Sequence, residues 1–210
     1  MKKKFFVLAA FAALVFTACN SNTDKAGHEG HDRGEKKQDT TAHDPLTEET
    51  GIKKVQATFT NVDGKAAAGV KEIVDHYLHI KNALASDNAA EAARGGEAML
   101  PAINKMDKSL LTAEQKKVFD AAQDDLKEHA ERIGKNGGNI KQQREYFAAM
   151  SGELYSLVKA FGAGRPLYHD HCPMYNDNKG GMWMSEIKDV KNPYFGADML
   201  TCGKVEEVIE

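Results

Sequence analysis

From about residue 64 to residue 162, apolar side chains recur every three or four positions, and start and stop signals divide the stretch into four segments of helical length. The first, from about Lys65 to Ala85, gathers Val70, Ile73, Val74, Tyr77, Lys81 and Leu84 on one face. It ends near Ser86-Asp87, and Asp87 is placed to cap the second. There Ala89, Ala90, Ala92 and Ala93 allow close packing ahead of Met99, Leu100 and Ile103, while Pro101 predicts an end or a kink. Thr112 and Gln115 form a capping box for the third segment, which buries Val118, Phe119, Ala122, Leu126 and Ile133 and stops at Gly134. After the turn Asn136-Gly137-Gly138, Asn139 and Gln142 open the fourth, along which Tyr146, Phe147, Met150, Leu154, Leu157, Val158 and Phe161 recur. Short connections favour antiparallel neighbours, so the expected fold is all-α, an antiparallel up-down four-helix bundle. Past Gly162-Ala163-Gly164 the helical period stops, and residues 165–205 are expected to form an irregular Cys/Met/His-rich segment packed on the bundle.

The start of the chain has a different pattern. Lys2-Lys3-Lys4, an apolar run from Phe5 to Phe16, and Thr17-Ala18 before Cys19 have the arrangement of a cleaved secretory signal, residues 1–18. The run is about a dozen residues, where roughly twenty are needed to span a bilayer. A cysteine at that junction resembles the lipobox of a bacterial lipoprotein. The resemblance implies lipidation of Cys19, export, and anchoring of a soluble domain to a periplasmic or cell-surface membrane. Residues 19–60 are polar, with almost no aromatic or branched apolar side chains, and read as a tether carrying His28, His31 and His43; residues 61–210 read as the folded domain.

Charge narrows the partners. Loss of the three signal lysines takes the formal balance from −3 to −6, and no stretch interleaves Lys or Arg with aromatics, so nucleic acid is excluded as a partner. No motif for an organic cofactor is present. In the bundle, His76 and His79 lie three apart and His129 sits on the third helix. No Glu-x-x-His repeat recurs on partner helices as a bundle-core di-iron site requires, so these read as structural or surface histidines. Met99, Met106 and Met150 read as core filler.

The candidate chemistry lies near the C-terminus, in His169-Asp170-His171-Cys172-Pro173-Met174, Met182-Trp183-Met184 and Met199-Leu200-Thr201-Cys202. Thiolates, thioethers and imidazoles are the ligands that soft Cu(I) prefers. The candidate metal ligands are Cys172 and Cys202 as thiolates, Met174 and Met199 as thioethers, and His169 and His171; Trp183 reads as a packing anchor. With Cys19 taken by lipid, Cys172 and Cys202 are the two cysteines left, and in an oxidising compartment they can equally close a disulfide. A pair close enough to share a metal is also close enough to oxidise, so the two readings can be two redox states of one site. An enzyme using Cys172 as nucleophile with His169 or His171 as base is chemically permitted. No third orienting residue or oxyanion device accompanies it, and the expectation is a protein that is not an enzyme.

Two resemblances add to this. Tyr77 to Ala85, Asn88 to Ala93, Gln143-Arg144-Glu145-Tyr146-Phe147 with Met150-Ser151, Cys172-Pro173-Met174, Trp183 with Ser185, Asn192-Pro193-Tyr194-Phe195-Gly196, and Met199 to Gly203 look like the uncharacterised domain family numbered 3347, over roughly residues 65 to 208. That family occurs alone in exported Bacteroidetes proteins or appended to periplasmic adaptor subunits of copper- and silver-type efflux pumps. His171-Cys172-Pro173-Met174 is similar to the Cys-Pro-Met core of a small heavy-metal-binding module of copper-transporting ATPases and adaptors, though Tyr175-Asn176 stand where that module commonly has His-Pro. The resemblances imply a lipid-anchored protein that binds Cu(I), or Ag(I) or Zn(II), in partnership with a heavy-metal efflux pump or adaptor. They place the metal reading above a disulfide-stapled structural or protein-interaction domain.

Overall fold

In a computed structural model the described residues are 51–210, so the signal, Cys19 and the tether histidines lie outside them. Four long helices account for the periodic stretch: α1 (Gly64–Ala85), α2 (Ala89–Asn104), α3 (Ala113–Lys135) and α4 (Ile140–Phe161). Each packs on its successor, and α1 also meets α4, giving the up-and-down order that short connections favour. The caps are local chemistry. Asp63 accepts from the backbone N–H groups of Lys65 and Ala66 at the start of α1. Thr112 and Gln115 make both bonds of the capping box on α3, and Asn139 accepts from the N–H of Gln142 on α4. The cap of α2 is Asn88, not Asp87. Asp87 instead turns to a positive φ of 56° and reaches away, pairing with Arg144 and accepting from the N–H of Ala197. Pro101 does not end α2, which runs on to Asn104 with the proline in its last turn. The core includes Ile73, Tyr77, Leu84, Met99, Ile103, Phe119, Leu126, Ile133, Phe147, Met150 and Leu154, all essentially without solvent exposure.

The chain is not all-α, and this corrects the fold class expected from its pattern. Four short strands form one mixed sheet in the order β1-β4-β2-β3: β1 (Lys53–Val55), β2 (Leu167–Cys172), β3 (Gly181–Ser185) and β4 (Lys204–Ile209). β1 runs parallel to β4, while β2 is antiparallel to both β3 and β4, with a register shift at His169/Asp170. The segment expected to be irregular therefore supplies β2, β3 and the start of β4. The final residues assigned to the tether are built in too: Val55 enters the sheet, Phe59 meets Phe161 edge-on with centroids 5.3 Å apart, and the N–H of Thr58 donates to the carbonyl of Lys159. No helix among the described residues is long and apolar enough to cross a membrane.

The bundle and sheet share one core. Tyr77 of α1 stacks on Phe147 of α4 at 4.8 Å, and its hydroxyl, 2.7 Å from that of Ser151, also accepts from the N–H of Met184 in β3. Between β3 and β4 the chain from 186 to 203 folds back over the sheet, so that Trp183 is buried and meets Tyr194 edge-on.

Candidate functional site

Cys172 ends β2, and Cys202 precedes β4 in the returning loop. The fold brings their Sγ atoms to 2.9 Å although they are 30 residues apart. Asn192 is the side chain that arranges this. Fully buried, it donates from Nδ2 to the carbonyl of Cys202 (2.7 Å), while its Oδ1 accepts from the N–H groups of Tyr194 (2.8 Å) and Phe195 (3.3 Å). One amide thus ties both ends of the loop, a local side-chain turn of the kind asparagine favours. Gly203, at φ +141°, completes the approach: a Cβ there would stand 2.9 Å from the carbonyl oxygen of His171 and 3.0 Å from the Trp183 ring, so only glycine lets Cys202 reach Cys172.

Cys172 is buried and Cys202 half-buried. Hydrogen bonding to Cys172, with some burial, pushes the Cys202 thiol up to about 11, so any ion taken there must displace a proton.

The other candidate ligands do not all gather here. Met199 closes the short turn Gly196–Met199, and its carbonyl accepts from the N–H of Cys202, which places its backbone beside the pair. Met174 sits 48 % exposed ahead of Tyr175–Asn178, a turn in which Asn176, Asp177 and Asn178 take φ of 53°, 54° and 64°. His169 is buried, stacked on Tyr155 of α4 with centroids 4.0 Å apart and with Nδ1 3.8 Å from Glu207; burial pushes its pKa down, against the pull of Glu207. His171, half-exposed, holds Nδ1 3.4 Å from Glu206. The nucleophile reading of Cys172 finds its sulfur against Cys202, with both histidines engaged by carboxylates. Among the bundle histidines, His79 pairs with Glu91 and His129 stacks beside Tyr146.

Asp170 and Lys81 are buried polar residues of this region; the sequence pattern showed no sign of the first, and placed the second on an apolar face without its partner. Asp170 has no exposed surface and neither carboxylate oxygen has a hydrogen-bond partner; burial pushes its pKa to about 7, with nearby Lys81 pulling it down. The indole Nε1 of Trp183, its cross-strand neighbour, is also buried without a partner. Lys81, fully buried on α1, donates to Glu186 at 2.9 Å and lies 3.4 Å from the hydroxyl of Ser185. Its position on the apolar face of α1 was the one available signal, since a lysine there must find a carboxylate.

No group of three or more His, Cys, Asp or Glu side chains that could hold a metal occurs among the described residues. A closed tetrahedral zinc site of such ligands is therefore not assembled in that part of the chain. A soft monovalent ion is satisfied by two thiolates, and two thiols are the donors brought together here.

Fold and site together define a helical bundle capped by a small mixed sheet that carries a paired-thiol site. Residues 73–165 match the family model described as a protein of unknown function (DUF3347), and over this segment the chain is similar to that family. The matched residues run from α1 to just before β2, so the sheet and the two cysteines lie beyond them. No curated protein and no solved structure matches the chain.

Proposed function

We propose that this chain is an exported, lipid-anchored protein that binds a soft monovalent metal ion, Cu(I) or Ag(I), through Cys172 and Cys202, and serves heavy-metal handling or efflux. The observation that carries the reading is the convergence of two thiols 30 residues apart to 2.9 Å beside the backbone of Met199. Two thiolates give a low coordination number, so an ion can leave by exchanging one ligand at a time. Cys202, the less buried sulfur, is the natural point of exchange. Asn192 holds the loop while the pair opens, since two sulfurs sharing an ion need roughly 3.8 Å or more between them at metal–sulfur distances of about 2.3 Å.

Titration of the reduced chain from residue 20 with Cu(I) against a competing chelator, without oxygen, tests this. One-to-one binding that the Cys172→Ser/Cys202→Ser double variant loses by a hundredfold or more supports the reading; equal binding by both proteins contradicts it.

The burial of Cys172 favours a second reading, a disulfide-stapled structural or interaction domain. A bridge closing a 30-residue loop stabilises a fold by about 3–4 kcal/mol on the chain-entropy model. Thiol trapping of protein recovered from its exported location separates the two, because a permanent bridge leaves no thiol to label.

A further inference from the structure

A second pair of soft ligands stands apart from the cysteines. In the β2–β3 ladder His171 lies directly opposite Met182, and opposed residues of an antiparallel pair project from the same face with Cβ atoms about 4.5–5.5 Å apart. Both side chains line one cavity of about 590 Å3, between the edge of the sheet, the Tyr175 turn and Ala148 and Ala149 of α4. Met182 is 40 % exposed, so its thioether is not committed to the core.

The imidazole is held for this task from both sides. Its Nδ1 faces Glu206 at 3.4 Å, and Lys204 holds the same carboxylate oxygen at 3.2 Å. Metal-bound histidines commonly turn their other ring nitrogen toward a carboxylate, and Glu206 stands within ion-pair distance of His171 to serve that way. On the Nε2 side lies Gly180, at φ +88°, where a Cβ would stand 2.5 Å from that nitrogen. Any side chain at 180 would collide with Nε2, and glycine avoids this.

We propose that His171 Nε2 and Met182 Sδ form a second, open site for Cu(I) or Ag(I), at which the ion is taken from solvent. The proposal shares the soft-metal chemistry of the reading above but uses neither cysteine. A neutral imidazole and a thioether suit a monovalent soft ion, and two ligands with room for a third bind weakly enough to exchange. The cysteines need to shed protons to bind; this pair has no thiol proton to lose.

The test uses Ag(I), which is redox-inert here, on residues 20–210 carrying Cys172→Ser and Cys202→Ser. This segment contains the compact unit 45–210. Side-chain resonances of all histidines and methionines are followed by NMR. The first equivalent is expected to shift the His171 ring and the Met182 methyl while leaving buried Met150 in place. Met182→Leu, which keeps an apolar side chain at a half-open position, and His171→Gln should each weaken binding at least tenfold. Unmoved His171 and Met182 signals, or unchanged affinity in Met182→Leu, would overturn the proposal. Loss of the cysteine site shows instead as equal Cu(I) affinity of wild type and double-serine protein, so the two ideas fail separately.

Discussion

The bundle and the sheet treat charge in opposite ways. On the helices, apart from the buried Lys81 that reaches toward the sheet, charges pair along the surface four residues apart, Lys71 with Asp75, Lys116 with Asp120, Arg132 with Glu128 and Lys135 with Glu131. Such solvent-screened pairs contribute little to stability. In the sheet, His169, Asp170 and Glu207 are carried inside, and Asp170 has no donor at all. A fold that tolerates an unpaired buried carboxylate has given up stability there, and such concessions concentrate where function is held. The bundle is the scaffold, and the sheet edge with its cysteines and His171–Met182 pair is where chemistry is to be sought.

The sharpest break of this division is Phe147→Ala. Phe147 is fully buried, stacks on Tyr77 and lies 6.0 Å from Tyr194, so it joins the two regions. Its loss should cost about 3–5 kcal/mol in denaturant unfolding, with bundle and sheet probes melting together. Separate transitions would show that the two regions do not share one core.

Asp170→Asn should have the opposite sign. The folded state keeps the Asp170 proton until about pH 7, whereas the unfolded chain releases it near pH 4. Between these values the folded state binds more protons, so wild-type stability falls as pH rises, by up to about 4 kcal/mol from this group. The variant should therefore be more stable at pH 8 by a few kcal/mol and no different at pH 4. A constant difference across that range would show that Asp170 is not held neutral.

Smaller effects sharpen the comparison. Asn192→Ala strands the Cys202 carbonyl and two backbone N–H groups and should cost about 1–3 kcal/mol while also weakening Cu(I) binding. Thr112→Ala, which removes half of the α3 capping box, should cost about 1 kcal/mol and leave metal binding unchanged. Equal effects of both on binding would erase the distinction between scaffold and site.

The same contrast explains what the sequence disclosed. Helices α1 to α4 were legible because their buried positions repeat at 3.6 residues and because Thr112, Gln115 and Asn139 mark their starts. The strands were not. β2, Leu167-Tyr168-His169-Asp170-His171-Cys172, buries a histidine and an aspartate, so no apolar alternation betrays it. β4 buries Glu207 and pairs with a β1 only three residues long in a lysine-rich stretch. The branched residues Val205, Val208 and Ile209, with Tyr168 and Trp183 nearby, were the available strand signal, outweighed by the surrounding Gly, Pro and Asn. At the site, residue types pointed to Cys172 and Cys202, but their meeting depends on the Asn192 loop and the Gly203 approach, which become visible only once the sheet exists. The cross-strand pairing of His171 with Met182 depends on β-register in the same way.

The pair itself can be read with X-ray absorption at the copper edge of the one-to-one Cu(I) complex of the reduced chain from residue 20. The account predicts two sulfur ligands at thiolate distance, lost in Cys172→Ser/Cys202→Ser; a spectrum with no sulfur ligand, or one unchanged by the double substitution, would contradict it.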